Sequence, residues 1–135
     1  MMSIFTKIIN GEIPCHKVAE TDDFLAFLDI NPNSKGHTLC IPKREVNKLL
    51  DLDEEAYNGL MSFARKVGLA MREEIECQRI GMSVIGLEVP HVHVHLIPIA
   101  DMDDMRFQRK ASFSSEEMTA IASKIASRYN MMWER

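Results

Sequence analysis

The sequence predicts an α+β fold built on a mainly antiparallel sheet, with one long helix and flanking helices. Three observations carry that expectation. Extended segments come in hairpin-like groups rather than in strict alternation with helices. One stretch in the middle of the chain keeps a long helical apolar period. Short helical patterns with boundary signals open and close the chain.

The elements follow in order. Ile4, Phe5, Ile8 and Ile9 have helical spacing, and Gly11 and Pro14 end it, so residues 3–10 read as a short helix. Residues 16–20 and 24–29 read as two strands of a hairpin, separated by the turn-forming Thr21, Asp22 and Asp23. Residues 31–36 are a loop by composition, and residues 37–42 a buried strand. Leu49, Leu50 and Leu52 are expected to pack nearby. The long helix spans residues 54–74, with Asp51 or Asp53 as cap. Its apolar stripe is Tyr57, Leu60, Met61, Ala64, Val67, Gly68, Met71 and Ile75. Residues 80–85 and 91–99 read as strands, and Pro90 holds the residue before it extended. Ser114 and Glu117 have capping-box spacing at the start of a last helix. Met118, Ile121, Ala122, Ile125 and Tyr129 form its apolar face. No repeat or linker interrupts the chain, so residues 1–135 read as one domain, with the helix and tail at 114–135.

Composition narrows the function. The chain is 46% hydrophobic and 27% charged, the balance of a globular domain rather than a disordered or fibrous one. A net charge of −4 without a basic run argues against nucleic acid as a partner. No apolar run approaches the ~18 residues that span a membrane, and the N-terminal residues lack the core of a signal peptide. Cys15, Cys40 and Cys77 are odd in number and widely spaced, which fits reduced thiols in a cytoplasmic protein.

The candidate chemistry lies in the histidines. Three of the five, His91, His93 and His95, alternate with Val92 and Val94. On a strand, alternate side chains share one face, so three imidazoles stand in a row over apolar packing. A neutral ring can attack phosphorus while a neighbour binds phosphate oxygens. Neutral imidazoles at this spacing are also good zinc ligands. Spacing alone leaves nucleophile and metal site open.

The stretch His-Val-His-Val-His-Leu-Ile resembles the signature of the histidine triad family. Residues 3–14, 24–32 and 36–43 resemble further segments of that family, so the likeness covers residues 3–99 in order. The resemblance implies a histidine-triad (HIT-like) fold, a purine nucleotide substrate, a homodimer and no cofactor. His93 then corresponds to the nucleophile, His95 to the phosphate-contacting histidine, His91 to its support and His37 to a fourth member of the cluster. Asp29 corresponds to the acid that accepts from the ribose hydroxyls, which suits an acceptor-only carboxylate. Ile4, Phe5, Ile8, Ile13 and Ile30 correspond to the apolar wall around the base. His16 has no such counterpart. The activity implied is hydrolysis of a nucleoside 5′-phosphoramidate or a related nucleoside phosphate bond through a nucleotidyl-histidine. Dinucleoside polyphosphate hydrolysis, and nucleotide binding without turnover, are the alternatives.

Two departures stand out. Leu87 and Glu88 fall where a glutamine and a hydroxyl residue are usual, and the loop before the triad is short; Ser83 falls near an asparagine position. Ser83 and Glu88 are therefore candidate nucleotide contacts of altered type. Some bacterial members hold a structural zinc with two N-terminal cysteines, a histidine after the Pro-Lys pair and the first triad histidine. Here Ser3, Thr6 and Glu45 stand at the first three positions, so no metal is expected.

Overall fold

A computed structural model describes residues 2–134 of the chain. Helix α1 is Ile4–Ile9, β1 Lys17–Glu20, β2 Phe24–Leu28, β3 Thr38–Pro42, α2 Glu54–Glu74, β4 Arg79–Ser83, β5 Val94–Ile99 and α3 Ser115–Trp133. Short 3-10 turns lie at Leu49–Asp51 and Met102–Met105. The five strands form one antiparallel sheet in the order β1-β2-β3-β5-β4. The expected α+β class is the one found.

Both faces of the central strands are covered, so β2 and β3 are apolar except at Thr38 rather than alternating with polar residues. Ala26, Leu28, Cys40, Val94 and Leu96 face α2 and α3 in the larger core. Leu25, Phe27, Leu39 and Ile41 face the other way and pack with Phe5 of α1. This second face carries the histidines, because Leu39 pairs with His95 across β3 and β5.

Capping chemistry sets the helix boundaries. The side chains of Ser3, Asp53 and Ser114 accept from the backbone N–H groups of Thr6, Ala56 and Glu117 respectively, and Ser114 with Glu117 forms the expected capping box. The buried face of α3 is the predicted one. On α2 the buried set also takes Phe63 and Ala70, while Tyr57 is exposed. That helix packs against both the sheet and α3, so it buries a wider arc than one stripe.

Three local expectations are corrected. Strand β5 starts at Val94, not at residue 91, because the ladder with β3 ends at the Cys40–Val94 pair. The preceding residues bond elsewhere: the N–H of Val92 donates to the carbonyl of Val46 at 2.8 Å. Strand β4 ends at Ser83, where the chain turns through Gly86 at φ 78°. Leu50 is 89% exposed and packs on nothing, whereas Leu52 is buried. The C-terminal residues Met132 and Trp133 pack on their own core, and the Trp133 indole N–H donates to the carbonyl of Lys66 at 3.2 Å.

Gly81 holds a segment beside the site. A Cβ there would meet Sδ of Met105 at 2.7 Å, so the Met105 side chain packs against the bare backbone of β4. At the centre of the larger core, Ile125 is fully buried. Ile125→Ala is expected to lower stability by about 2–5 kcal/mol, read by urea denaturation.

Candidate active site

His93 and His95 line a cleft of about 510 Å³, together with Phe5, Asp29, Leu39, Arg106, Phe107, Lys110 and the 85–89 loop. The side chains of residues 91–93 still alternate although they lie before the strand. Val92 enters the larger core, while Phe5 meets the rings of His91 and His93 edge-on at 5.7 and 5.0 Å. The rings of His93 and His95 stand 4.9 Å apart. His37 joins them from the turn before β3, where Gly36 has φ 88°.

Hydrogen bonds fix the proton positions. A backbone N–H can only donate, and that of Asn33 points at Nδ1 of His37 at 2.9 Å. The His37 proton therefore sits on Nε2, which donates to Nδ1 of His95 at 2.9 Å. His95 in turn keeps its proton on Nε2. A carbonyl can only accept, so His91 Nε2 donates to Pro42 O at 2.8 Å, and His93 Nδ1 donates to His91 O at 2.7 Å. Ser3 Oγ then donates to His91 Nδ1 at 2.7 Å. The lone pair of a neutral His93 then falls on Nε2, and His95 keeps an Nε2–H. Neither atom is both sealed from solvent and without a partner. A ring nitrogen that can present a lone pair thus stands beside a hydrogen-bond donor.

Burial favours the neutral form of the other three rings. It lowers His37 to about 3 and His95 to about 4, in each case reinforced by the neighbouring histidine, and it lowers His91 as well. Burial also raises the Asp29 carboxyl, against a hydrogen bond from the N–H of Asn31. Asp29 Oδ2 lies 3.6 Å from His37 Nε2.

Comparisons with known proteins identify the family. A family model described as HIT domain matches residues 10–102. The chain belongs to the HIT domain family. It is 37% identical to the adenosine 5′-monophosphoramidase of Schizosaccharomyces pombe over 95% of this chain and 98% of that one. It is 35% identical to the protein hit of Bacillus subtilis, over 93% and 92%. The crystal structure of a Hit-like protein involved in cell-cycle regulation from Bartonella henselae, with an unknown ligand, superposes with a TM-score of 0.81. It is 30% identical and covers 93% of this chain and 95% of that one.

In this HIT protein the residues singled out in the sequence divide into three groups. Phe5, Asp29, Glu88, His93 and His95 line the cleft. His37 and His91 lie buried behind it. Ile4, Ile8, Ile13, Ile30 and Ser83 lie outside its lining; Ile8 packs under Phe5, and Ile30 is 80% exposed. Ser83 sits opposite His95 on β4 with a buried hydroxyl that has no partner. Sequence reasoning missed Asn33, Arg106, Phe107 and Lys110. They come from a loop and from a segment without periodicity, so no pattern marked them.

The positions of Ser3, Thr6, Glu45 and His91 do come together, as a hydrogen-bonded network. Glu45 Oε1 accepts from the N–H of Ser3 at 2.6 Å and from the hydroxyl of Thr6 at 2.7 Å. Those bonds hold the Glu45 carboxyl below its ordinary range. Hydroxyls are not among the nitrogen, sulfur and carboxylate ligands that zinc takes. Asp29, His37 and His95 also bring ligand atoms within 4.8 Å of one another. A metal on His37 Nε2 would drive its proton onto Nδ1, against the N–H of Asn33.

The histidines also give stability a pH dependence. From the ordinary value of 6.5 downward the unfolded chain takes up protons on His37 and His95, which the folded state refuses until about 3 and 4. Stability is therefore expected to fall as pH drops from 7 to 5. The urea midpoint measures it, and His37→Gln is expected to flatten the dependence.

Proposed function

We propose that this HIT protein is a hydrolase that cleaves a nucleoside 5′-phosphoramidate, or a related nucleoside phosphate bond, through a covalent nucleotidyl-histidine. The observation that carries this reading is the bond from His93 Nδ1–H to the carbonyl of His91, which leaves the Nε2 lone pair free at the cleft. The name of the S. pombe relative supports the substrate class.

In the first step His93 Nε2 attacks the α-phosphorus. The bond to the leaving nitrogen breaks, and the amine departs with the electron pair and takes a proton from water. The Nε2–H of His95 donates to a phosphate oxygen and holds it in line. In the second step water attacks phosphorus, the bond to His93 breaks, and nucleoside monophosphate leaves with release of a proton. Splitting one displacement into two lowers each barrier. Asp29 accepts from the ribose hydroxyls, and Phe5, Leu39 and Val89 give the purine an apolar wall. The donor sets around His91 and His37 suit hydrogen bonds rather than a metal, so the reaction is proposed to need none.

The same reading places the whole chain as one unit in the cytoplasm, where its three free cysteines stay reduced. Among the described residues no helix is long and apolar enough to cross a membrane. Strand β4 is a sheet edge with Met82 exposed, the kind of edge that pairs with another strand. We infer a homodimer formed there.

Two experiments test these readings. His93→Asn is expected to cut turnover of an adenosine phosphoramidate by about a thousandfold or more, and wild type to carry a nucleotide on His93 in mass spectrometry. Equal turnover by both would overturn the nucleophile. Sedimentation is expected to give the mass of two chains for wild type and of one for Met82→Lys.

A further inference from the structure

The bonds that keep His37, His91 and His95 neutral leave an anionic substrate without a full positive charge from those rings. Asp29 and Glu88 add negative charge to the cleft lining. Two cations also line it, Arg106 and Lys110. Arg106 is spent on an ion pair with Asp103. Arg109, between them in sequence, pairs with Asp101, Asp103 and Asp104. Among the described residues no carboxylate pairs with Lys110, and its charge reaches Asp29, His37 and His95.

Lys110 is also held in place. Its ammonium donates to Asn33 Oδ1 at 2.7 Å and to Asn31 O at 3.2 Å. It lies 5.0 Å from the centroid of the Phe107 ring, which itself meets His95 edge-on at 4.8 Å. Asn33 is buried; its Nδ2 donates to Asp104 O at 2.8 Å, and its backbone N–H is the one that sets His37. Phe107 has φ 61°, the one positive value at a non-glycine among the described residues. Such backbone strain persists only where the surroundings fix it, and it concentrates at ligand sites. A lysine ammonium has three donors. Two are used, and one remains.

We propose that Lys110 is the phosphate-binding cation of the cleft, pre-placed by Asn33 and Phe107 beside His95. The remaining N–H makes a charge-assisted bond to a phosphate oxygen of the bound nucleotide. This assignment rests on the nucleotide reading above and adds the group that meets the phosphate charge.

Calorimetric titration with adenosine and with adenosine 5′-monophosphate tests it on wild type, Lys110→Ala and Lys110→Arg. The side chain is exposed, so the variants are expected to fold. Loss of one charge-assisted bond is expected to weaken monophosphate binding by about tenfold in Lys110→Ala. Adenosine affinity is expected to stay unchanged, and Lys110→Arg to retain most of the monophosphate affinity. Added salt should weaken monophosphate binding to wild type more than to Lys110→Ala. Unchanged monophosphate affinity in Lys110→Ala, with wild type still preferring monophosphate to adenosine, overturns Lys110 alone. Equal loss of both ligands overturns it too, by assigning the lysine to loop structure. If wild type binds neither ligand, the nucleotide reading fails and this assignment with it.

Discussion

The backbone N–H of Asn33 faces Nδ1 of His37, and that bond decides the state of the imidazoles beyond it. A donor fixed in the main chain cannot be reversed by rotating a side chain. His37 must therefore accept at Nδ1 and donate from Nε2, and His95 must accept from it. The loop that carries Asn33 is itself pinned. Its side chain holds Asp104 and Lys110, and the N–H of Ala111 donates to the carbonyl of Pro32 at 2.9 Å. Gly36 supplies the left-handed turn that brings His37 round onto β3. Burial then makes protonation of the pair costly, so geometry and solvation favour the same neutral state.

A second chain of bonds runs from the opposite side and ends with the opposite polarity. Glu45 accepts from the N–H of Ser3, the Ser3 hydroxyl donates to His91 Nδ1, and the carbonyl of His91 accepts from His93 Nδ1–H. This chain ends in a lone pair on His93, whereas the one from Asn33 ends in an N–H on His95. The two rings stand 4.9 Å apart. Displacement at phosphorus calls for that pairing, an acceptor of the phosphorus beside a donor to its oxygens. Ser3 also caps α1, so the residue that starts the helix orients the first triad histidine as well. Hydrogen bonds among oxygen and nitrogen groups tie Ser3, Thr6, Glu45 and His91 together at these positions.

How far the sequence discloses this depends on the range of the interaction. The bounds of α2 and α3 were legible because their caps and apolar periods are local. The shared face of His91, His93 and His95 was legible too, since alternation survives where the ladder hydrogen bonds do not. The start of β5 was not, because it depends on where β3 stops pairing. Phe63 and Ala70 escaped the α2 stripe because the contact with α3 widens it. The bonds from Asn33 to Asp104 and Lys110 join residues 71 and 77 positions apart. Neither partner lies on a helix or strand whose period could announce it, and the resemblance read from sequence motifs stopped at residue 99. Resemblance brought Asp29 and His37 into view, while Asn33, Phe107 and Lys110 needed three-dimensional proximity.

That division of labour follows from the electrostatics. On the proposed reading an imidazole that attacks phosphorus must offer a lone pair, and the rings packed around His93 are held neutral by burial. The same burial deprives the site of cations, because a positive charge packed against the rings would itself be desolvated. The charge that meets an anion is better kept at the rim, where water still solvates it and a Coulomb interaction still reaches inward. Lys110 occupies such a place, exposed yet oriented by Asn33 and Phe107. A cation at the rim acts at a distance and is screened by salt, whereas the bonds among the buried histidines are not. On the proposed reading, attraction of the phosphate and activation of the nucleophile therefore fall to different parts of the chain. The sheet and its preceding segment carry the reactive nitrogen, and the segment after the last strand carries the charge.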